Sequence, residues 1–247
     1  MRRLRRKIFI GLVILVFCSL LLFTILVYKK IVIINNPSDN KYPITGVDIS
    51  HYQGSINWND IYNQNIDFAF MKATEGSSTI DEYFERNWSN AQETPIVVGA
   101  YHFYSFDSSV ETQAENFIST VGSLKGKMPP VIDFEFYSNY EKNPPDINTT
   151  RANLQLLLDI LEDYYGVKPI IYATVKSYNL YIKSEFTEYP LWIRNVYYSP
   201  DLGMKNRWTF WQYTDTAVLK GYHGDEKYID MNVFHGTEKE FNDLLIK

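Results

Sequence analysis

Two acidic residues are spaced so that their carboxyl groups can work together. Asp133 and Glu135 lie two positions apart in the otherwise apolar run Val131-Ile132-Asp133-Phe134-Glu135. Residues two apart on a β-strand point to the same face, with Cα atoms roughly 6.5 Å apart, so both carboxyl groups would enter one cavity. Because burial of an isolated charge is costly, acids in such a run must be paired, hydrogen-bonded or functional.

Two further acids occupy comparable positions. Asp48 lies in the segment GVDISHYQG, and Asp230 lies in the segment YIDMN. If these segments are strands of one sheet, four carboxyl groups meet near three strand ends. Repulsion between Asp133 and Glu135, together with the field of Asp48 and Asp230, then favours one acid that keeps its proton near neutral pH.

One protonated acid beside one carboxylate is the arrangement that cleavage of a glycosidic bond requires. The acid protonates the leaving oxygen, and the carboxylate counters the charge that develops at the anomeric carbon. The spacing leaves retention and inversion open, because side-chain rotation can bring the two groups into either distance range.

Two other interpretations compete with this one. Asp133 can cap a turn while Glu135 is solvated, although the clustering of four acids disfavours that reading. Clustered carboxylates also suit calcium or magnesium, but the sequence has no spaced ligand loop of the EF-hand kind. The histidines show no metal-ligand spacing. We therefore predict no metal and no cofactor.

Eight short β-branched and aromatic runs, bounded by turn signals, predict the strands that carry these acids. Apolar runs of this length suit strands buried on both faces, as in a parallel sheet. The runs are Gly46–Ile49, Phe68–Lys72, Ile96–Tyr101, Val131–Phe134, Pro169–Tyr172, Leu191–Ile193, Phe210–Gln212 and Ile229–Val233.

Helices are predicted in only some of the gaps. Ser108 and Glu111 are spaced as a capping box for a helix over Val110–Val121, and a second helix is expected over Asn148–Tyr165. We therefore predict an α/β fold, an irregular (β/α) barrel with eight strands and fewer than eight helices, whose active site lies at the carboxyl ends of the strands. An open doubly wound sheet is the alternative, but no glycine-rich phosphate loop follows any strand.

The chain begins with a segment suited to a membrane. Five cations precede an apolar run from Ile8 to about Tyr28, and two lysines follow it. About 20 apolar residues match the ~30 Å of hydrocarbon in a bilayer. The exit TILVYKK offers no small-x-small cleavage site of the signal-peptide kind. The excess of cations before the run predicts a cytoplasmic N-terminus and a single-pass anchor in the cell membrane.

The domain organisation follows from that anchor. We predict a cytoplasmic tip and transmembrane segment in residues 1–30, a linker in residues 31–44 and one extracellular domain in residues 45–247. Beyond residue 30 the chain has 17 cations against 29 acids, a net charge of −12, which argues against nucleic acid or anionic lipid as partners. The only cysteine, Cys18, lies in the apolar run, so the outer domain has no disulfide.

The motifs around these acids resemble those of glycoside hydrolase family 25, the lysozymes (N-acetylmuramidases). The resemblance covers about residues 45–236, in the same order and spacing. It rests on the segments GVDISHYQGSINW, FAFMKATEGSS, VGAYHFY, DFE at Asp133–Glu135, PLWI, FWQY and IDMNVF.

The resemblance implies cleavage of the β-1,4 bond between N-acetylmuramic acid and N-acetylglucosamine in peptidoglycan glycan strands. By the DFE match, Glu135 is expected to be the general acid. Asp133 is expected to be its partner, either as nucleophile or by orienting a substrate acetamido group. Asp48 and Asp230 match the two other acids of the family's cleft. Arg194 departs from the small residue expected after PLWI.

Several side chains near the predicted strand ends are candidates for binding sugar, because rings stack on pyranose faces and polar groups hold hydroxyls. They are Tyr101, Tyr172, Trp192, Trp211 and Gln212.

Two other functions remain open from the sequence. One is a catalytically silent, membrane-tethered barrel that binds glycan or scaffolds an assembly, and the other is a hydrolase of a different polymer such as chitin. A binder would have no need of a protonatable pair, which favours an enzyme. Any partner in the machinery of the cell envelope stays unknown.

Overall fold

The computed structural model describes residues 2–29, 31–32, 35–38, 40–204 and 207–247. The chain divides into two compact units, Met1–Asn36 and Pro37–Lys247. Parts of the predicted anchor and linker lie outside the described residues, namely Met1, Lys30, Ile33, Ile34 and Asp39. The predicted domain boundaries therefore stay predictions.

The first unit contains one long helix, α1, over Arg2–Tyr28. Its segment Arg5–Tyr28 has 24 residues and a mean hydropathy of 3.1, and its apolar side chains are exposed. At 1.5 Å per residue this segment is about 36 Å long, which is sufficient to cross a bilayer. Secretion signals share these properties, so the helix alone is compatible with secretion or anchoring.

The second unit is built on one sheet. Eight of its strands close into a barrel in the order β1-β2-β4-β5-β6-β7-β8-β9, and β9 pairs again with β1. The short β3 forms a hairpin with the end of β2. The strands are β1 (Thr45–Ile49), β2 (Phe68–Glu75), β3 (Thr79–Ile80), β4 (Val97–Phe103), β5 (Val131–Phe134), β6 (Ile170–Thr174), β7 (Leu191–Arg194), β8 (Phe210–Ala217) and β9 (Ile229–Phe234).

The closed barrel confirms the predicted fold class, although β9 departs from the parallel arrangement that its apolar run suggested. Six of the contacts in the barrel are parallel, whereas β9 runs antiparallel to both β8 and β1. Residues 218–228 join β8 to β9 as a loop. Antiparallel neighbours can be joined in this way, because they need no helical crossover.

Seven helices are described in the second unit, which fits the prediction of fewer than eight. Only α4 and α5 exceed eight residues. The helices are α2 (Trp58–Tyr62), α3 (Phe84–Ala91), α4 (Val110–Val121), α5 (Ile147–Tyr165), α6 (Val175–Ser177), α7 (Asp201–Met204) and α8 (Glu238–Asp243).

The cap of α4 differs from the predicted one. Ser109 rather than Ser108 is the N-cap, and its hydroxyl accepts a hydrogen bond from the main-chain N–H of Thr112. The hydroxyl of Ser108 is engaged elsewhere, since it donates to Ser105 Oγ at 3.3 Å. A cap must be the last extended residue before the first helical one, and Ser109 has that conformation (φ −67°, ψ 147°).

Side chains that alternate along the strands divide the core into two parts. Inward-facing aromatic rings fill the barrel, where Trp192 stacks on Phe70 with centroids 4.5 Å apart. Outward-facing residues pack against the helices. Two glycines make room for the inner rings. A Cβ on Gly46 would lie 2.4 Å from the Phe68 ring, and one on Gly99 would lie 2.5 Å from the Phe70 ring.

We predict that Gly99→Ala destabilises the barrel. The added methyl group meets both the Phe70 ring and Met128 Cβ, at 2.5 and 2.9 Å. Overpacking of this kind typically costs about 1–3 kcal/mol, so thermal unfolding should begin several degrees lower. Gly203→Ala in α7 is the matched control, because a Cβ there meets nothing within 4 Å. Equal midpoints for wild type and Gly99→Ala would contradict the packing described.

Candidate active site

The four predicted acids meet at the carboxyl edge of the parallel strands. Asp48 lies near the end of β1, Asp133 lies on β5, and Glu135 follows β5 directly. Asp230 lies near the start of β9. Because β9 is antiparallel, its start reaches the same edge, and Asp230 is the register partner of Asp48. The reversed strand therefore brings the fourth acid to the others.

Asp48 is held by two side-chain amides. Gln212 Nε2 donates to both of its carboxyl oxygens, at 3.0 and 2.8 Å, and Asn232 Nδ2 donates to Oδ2 at 2.7 Å. Each amide is oriented in turn by an aromatic side chain. Tyr172 OH donates to Gln212 Oε1 at 3.0 Å, and Trp192 Nε1 donates to Asn232 Oδ1 at 2.8 Å. Burial raises the pKa of Asp48, and these amide donors oppose that rise.

Asp230 holds a proton at neutral pH. Burial, and next the charge of Asp48, raise its pKa to about 9. Gln212 Nε2 also reaches Asp230 Oδ2 at 3.1 Å, so one amide bridges both carboxyl groups. Asp48 with Asp230 is thus a pair that keeps one proton. The sequence predicted that the charges of both Asp48 and Asp230 act on Glu135. Because Asp230 is neutral, only Asp48 raises the pKa of Glu135 in this way.

Asp133 and Glu135 form a second pair, in which the pKa of both carboxyl groups is raised. Burial, followed by the charge of Glu135, raises the pKa of Asp133 well above its ordinary value. Burial raises the pKa of Glu135 to about 6. Asp133 therefore keeps its proton more weakly when Glu135 is neutral. Asp133 Oδ1 is buried with no hydrogen-bond partner among the described residues.

Two cations flank these pairs, and both lower the pKa of Glu135. Arg194 Nη2 contacts Asp215 Oδ2 at 2.6 Å, and Lys72 Nζ contacts Glu75 Oε2 at 2.6 Å. Sequence analysis noted Arg194 only as a departure and did not identify Lys72. The inward direction of Lys72 could be predicted, because residues two apart on a strand share a face and Phe68 and Phe70 point into the barrel.

The sugar-binding candidates are not all in one place. Tyr101 and Tyr172 lie beside the acid pair, since burial and then the charges of Asp133 and Glu135, respectively, raise the pKa of each phenol well above its ordinary value. Trp192 is sealed in the barrel interior, where its ring stacks on Phe70 and is closed to sugar. Trp211 faces outwards into the helix-side core and donates to Asn195 O, so we withdraw it as a sugar contact.

Four exposed tyrosines on loops at this edge were missed by the sequence analysis. Tyr52 follows β1 and is 58% exposed, whereas Tyr228 precedes β9 and is 37% exposed. Their loops adjoin, because the N–H of Glu226 donates to Tyr52 O at 3.0 Å. Tyr197 and Tyr198 follow β7 and are 40% and 44% exposed. Large rings left in water beside a cleft are better placed for stacking on sugars than the buried tryptophans.

His102 is held by two side chains in the core. His102 is fully buried, with Nδ1 2.7 Å from Thr74 Oγ1 and Nε2 3.1 Å from Gln113 Oε1. Among the described residues, no group of three or more histidine, cysteine or acidic side chains is arranged to hold a metal ion.

Comparison with known proteins agrees with this geometry. The profile of Glycosyl hydrolases family 25 matches residues 47–222. The chain belongs to glycosyl hydrolase family 25. Residues 47–222 of the family match include Asp48, Asp133 and Glu135, whereas Asp230 lies beyond it.

The chain is similar to three proteins that show the extent of the match. A solved family 25 glycosyl hydrolase from Bacillus anthracis is 50% identical, has a TM-score of 0.79, and matches over 85% of this chain and 96% of its own. The uncharacterised protein YegX of Escherichia coli K12 is 34% identical over 81% of this chain and 72% of its own. Lysozyme M1 of Streptomyces globisporus is 30% identical over 78% of this chain and 68% of its own.

We predict that Glu135→Gln stabilises this family 25 domain above weakly acidic pH. An acid whose pKa is raised from 4.5 to about 6 on folding loses stability as pH rises through that window. The difference corresponds to roughly 2 kcal/mol. The gain in thermal midpoint over wild type should therefore be small near pH 4 and larger near pH 8.

Glu238→Gln removes an exposed acid on α8 and is the matched control, for which no such pH-dependent gain is expected. A gain for Glu135→Gln that is the same at both pH values would show that Glu135 carries no raised pKa.

Proposed function

We propose that this chain is a lysozyme-type hydrolase that cleaves the β-1,4 bond between N-acetylmuramic acid and N-acetylglucosamine in peptidoglycan. The observation that carries the proposal is the buried Asp133–Glu135 pair, in which burial raises the pKa of both acids and brings that of Glu135 to about 6. Membership of family 25 and the similarity to a protein named lysozyme support it.

Glu135 acts as the general acid. A proton donor works best when its pKa lies near the ambient pH, and the pKa of Glu135 is raised by burial to about 6. Arg194 and Lys72 keep that pKa from rising further, so the proton is held and yet can be released. Glu135 gives it to the glycosidic oxygen, which leaves with N-acetylglucosamine. Water then adds to the anomeric carbon, and its proton restores the acid.

Asp133 is the partner of that acid. Burial and then the charge of Glu135 oppose ionisation of Asp133, and protonation of Glu135 removes the second of these, so the Asp133 carboxylate forms more readily. The carboxylate counters positive charge at the anomeric carbon. In the alternative role, the carboxylate orients a substrate group such as the acetamido N–H.

A silent glycan-binding barrel is the competing function. Burial of two neighbouring acids costs folding energy, and a protein that only binds sugar gains nothing from that cost. The exposed tyrosines around the cleft would serve either function, so they do not distinguish the two.

The amino-terminal helix is proposed to anchor the enzyme in the cell membrane with the barrel outside. Five cations precede its apolar segment and two follow it, which favours a cytoplasmic N-terminus. No small-x-small cleavage site follows the apolar run.

We expect Glu135→Gln to abolish most hydrolysis of purified cell walls. The amide keeps the size of the side chain but cannot give up a proton, and general acid catalysis is typically worth about 10²–10⁴-fold. Binding of glycan should persist. Mass spectrometry of wild-type products should find reducing ends of muramic acid.

The same assay separates the alternatives. Glu238→Gln is the matched control, because it makes the same change at an exposed acid on α8. Glucosamine reducing ends would assign a different bond, and wild type that binds walls without releasing fragments would assign the silent barrel.

For the anchor, we expect the full chain to sediment with membranes and to resist extraction by salt, because an apolar helix of this length is held by hydrocarbon. Protease added to intact spheroplasts should digest the barrel. Soluble protein in the medium, with a new N-terminus near Lys30, would show a cleaved signal peptide instead.

A further inference from the structure

A pocket of about 310 Å³ opens beside the catalytic pair. It lies at the carboxyl ends of β5, β6 and β7, where Phe136 follows Glu135 and where Thr174 is the register partner of Arg194. Residues that line it include Phe136, Glu141, Thr174, Lys176, Arg194 and Tyr197. Phe136 therefore places the pocket next to the general acid in the chain, and of its lining the proposed reaction uses only the charge of Arg194.

Two cations give this pocket its chemistry. Arg194 is anchored through one nitrogen, Nη2, on Asp215, and its side chain is 31% exposed. A guanidinium group has five N–H donors, so donors remain for a ligand. Lys176 Nζ donates to the main-chain carbonyl of Glu141 and lies 5.4 Å from the centre of the Phe136 ring. In the described part of the chain it makes no ion pair within 4 Å.

Two cations reach into this pocket from an otherwise acidic domain. Lys176 and Arg194 line it together with one acid, Glu141, and Asp215 pairs with Arg194 from outside the lining. Arginine in particular matches a carboxylate, because two parallel N–H donors can reach both oxygens. A pocket of this size and charge fits a short organic anion next to the bond that is cleaved.

We propose that the Lys176–Arg194 pocket binds the carboxylate carried by the lactyl substituent of muramic acid. This inference rests on the proposed function. Muramic acid differs from N-acetylglucosamine by that substituent, which ends in a free carboxylate or continues into a stem peptide that carries carboxylates. The substituent is on the sugar whose anomeric carbon is attacked, so it lies within one ring of Glu135. Chitin has no such group, so the pocket distinguishes the two polymers.

The test measures binding by the full chain in detergent, in the Glu135→Gln background. That background prevents turnover and removes the titrating acid that Arg194 influences. Four oligosaccharides of equal length are the probes. They are glycan with stem peptides, glycan stripped of peptides, stripped glycan with the carboxylate reduced to an alcohol, and chitin oligomers.

Lys176→Met and Arg194→Gln should each weaken binding of at least one carboxylate-bearing glycan by about tenfold or more, as expected for a charge-assisted hydrogen bond. Binding of the reduced glycan and of chitin should stay within about twofold. Loss with stripped glycan assigns the lactyl carboxylate, and loss only with stem-bearing glycan assigns the peptide carboxylates. Lys239→Met, on α8, is the matched control for loss of a cation.

An equal loss for all four probes, or no loss for any, would overturn the proposal. Cell-wall hydrolysis by the wild type is measured in parallel. If hydrolysis occurs without the selective loss, the pocket inference fails and the proposed function stands. If no hydrolysis occurs, the proposed function fails whatever the binding results.

Discussion

The burial of four carboxyl groups at one edge of the barrel is the constraint on which the rest of this structure depends. Charges removed from water must be compensated, and here three means are combined. Asp230 keeps a proton, amide donors surround Asp48, and Arg194 and Lys72 supply positive charge. Each kind of compensation acts on a different acid, so four carboxyl groups of nearly the same chemistry differ in how readily they ionise.

The amide donors connect the active-site edge to the aromatic core. Each amide presents its N–H group to the carboxylate and its carbonyl oxygen to a donor on the other side, and Tyr172 and Trp192 are those donors. Trp192 is in turn fixed by stacking on Phe70, whose ring occupies the space left by Gly99. Packing in the barrel thereby fixes the direction in which Asp48 accepts hydrogen bonds.

Much of this arrangement was predictable from local patterns, and the failures have identifiable causes. All eight barrel strands and the placement of the acids at one edge follow from short apolar runs with embedded carboxylates. The direction of β9 could not be read, because strands of either direction have the same period of two. Trp211 was an avoidable error, since it adjoins the inward-facing Gln212 and must therefore face outwards. Lys72 was missed because a lone lysine in a strand resembles a solvated residue.

Arg194 connects the two halves of the site. Its positive charge lowers the pKa of Glu135 and opposes the rise in the pKa of both Asp48 and Asp230, so the proton on Glu135 is sensitive to whatever else Arg194 contacts. A substrate carboxylate bound in the Lys176–Arg194 pocket would neutralise part of that charge. The pKa of Glu135 would then rise, because less positive charge remains to stabilise its ionised form. A muramic acid carboxylate in the pocket would thus keep the proton on Glu135 while the sugar is bound. An uncharged polymer would leave the charge of Arg194, and therefore the pKa of Glu135, unchanged.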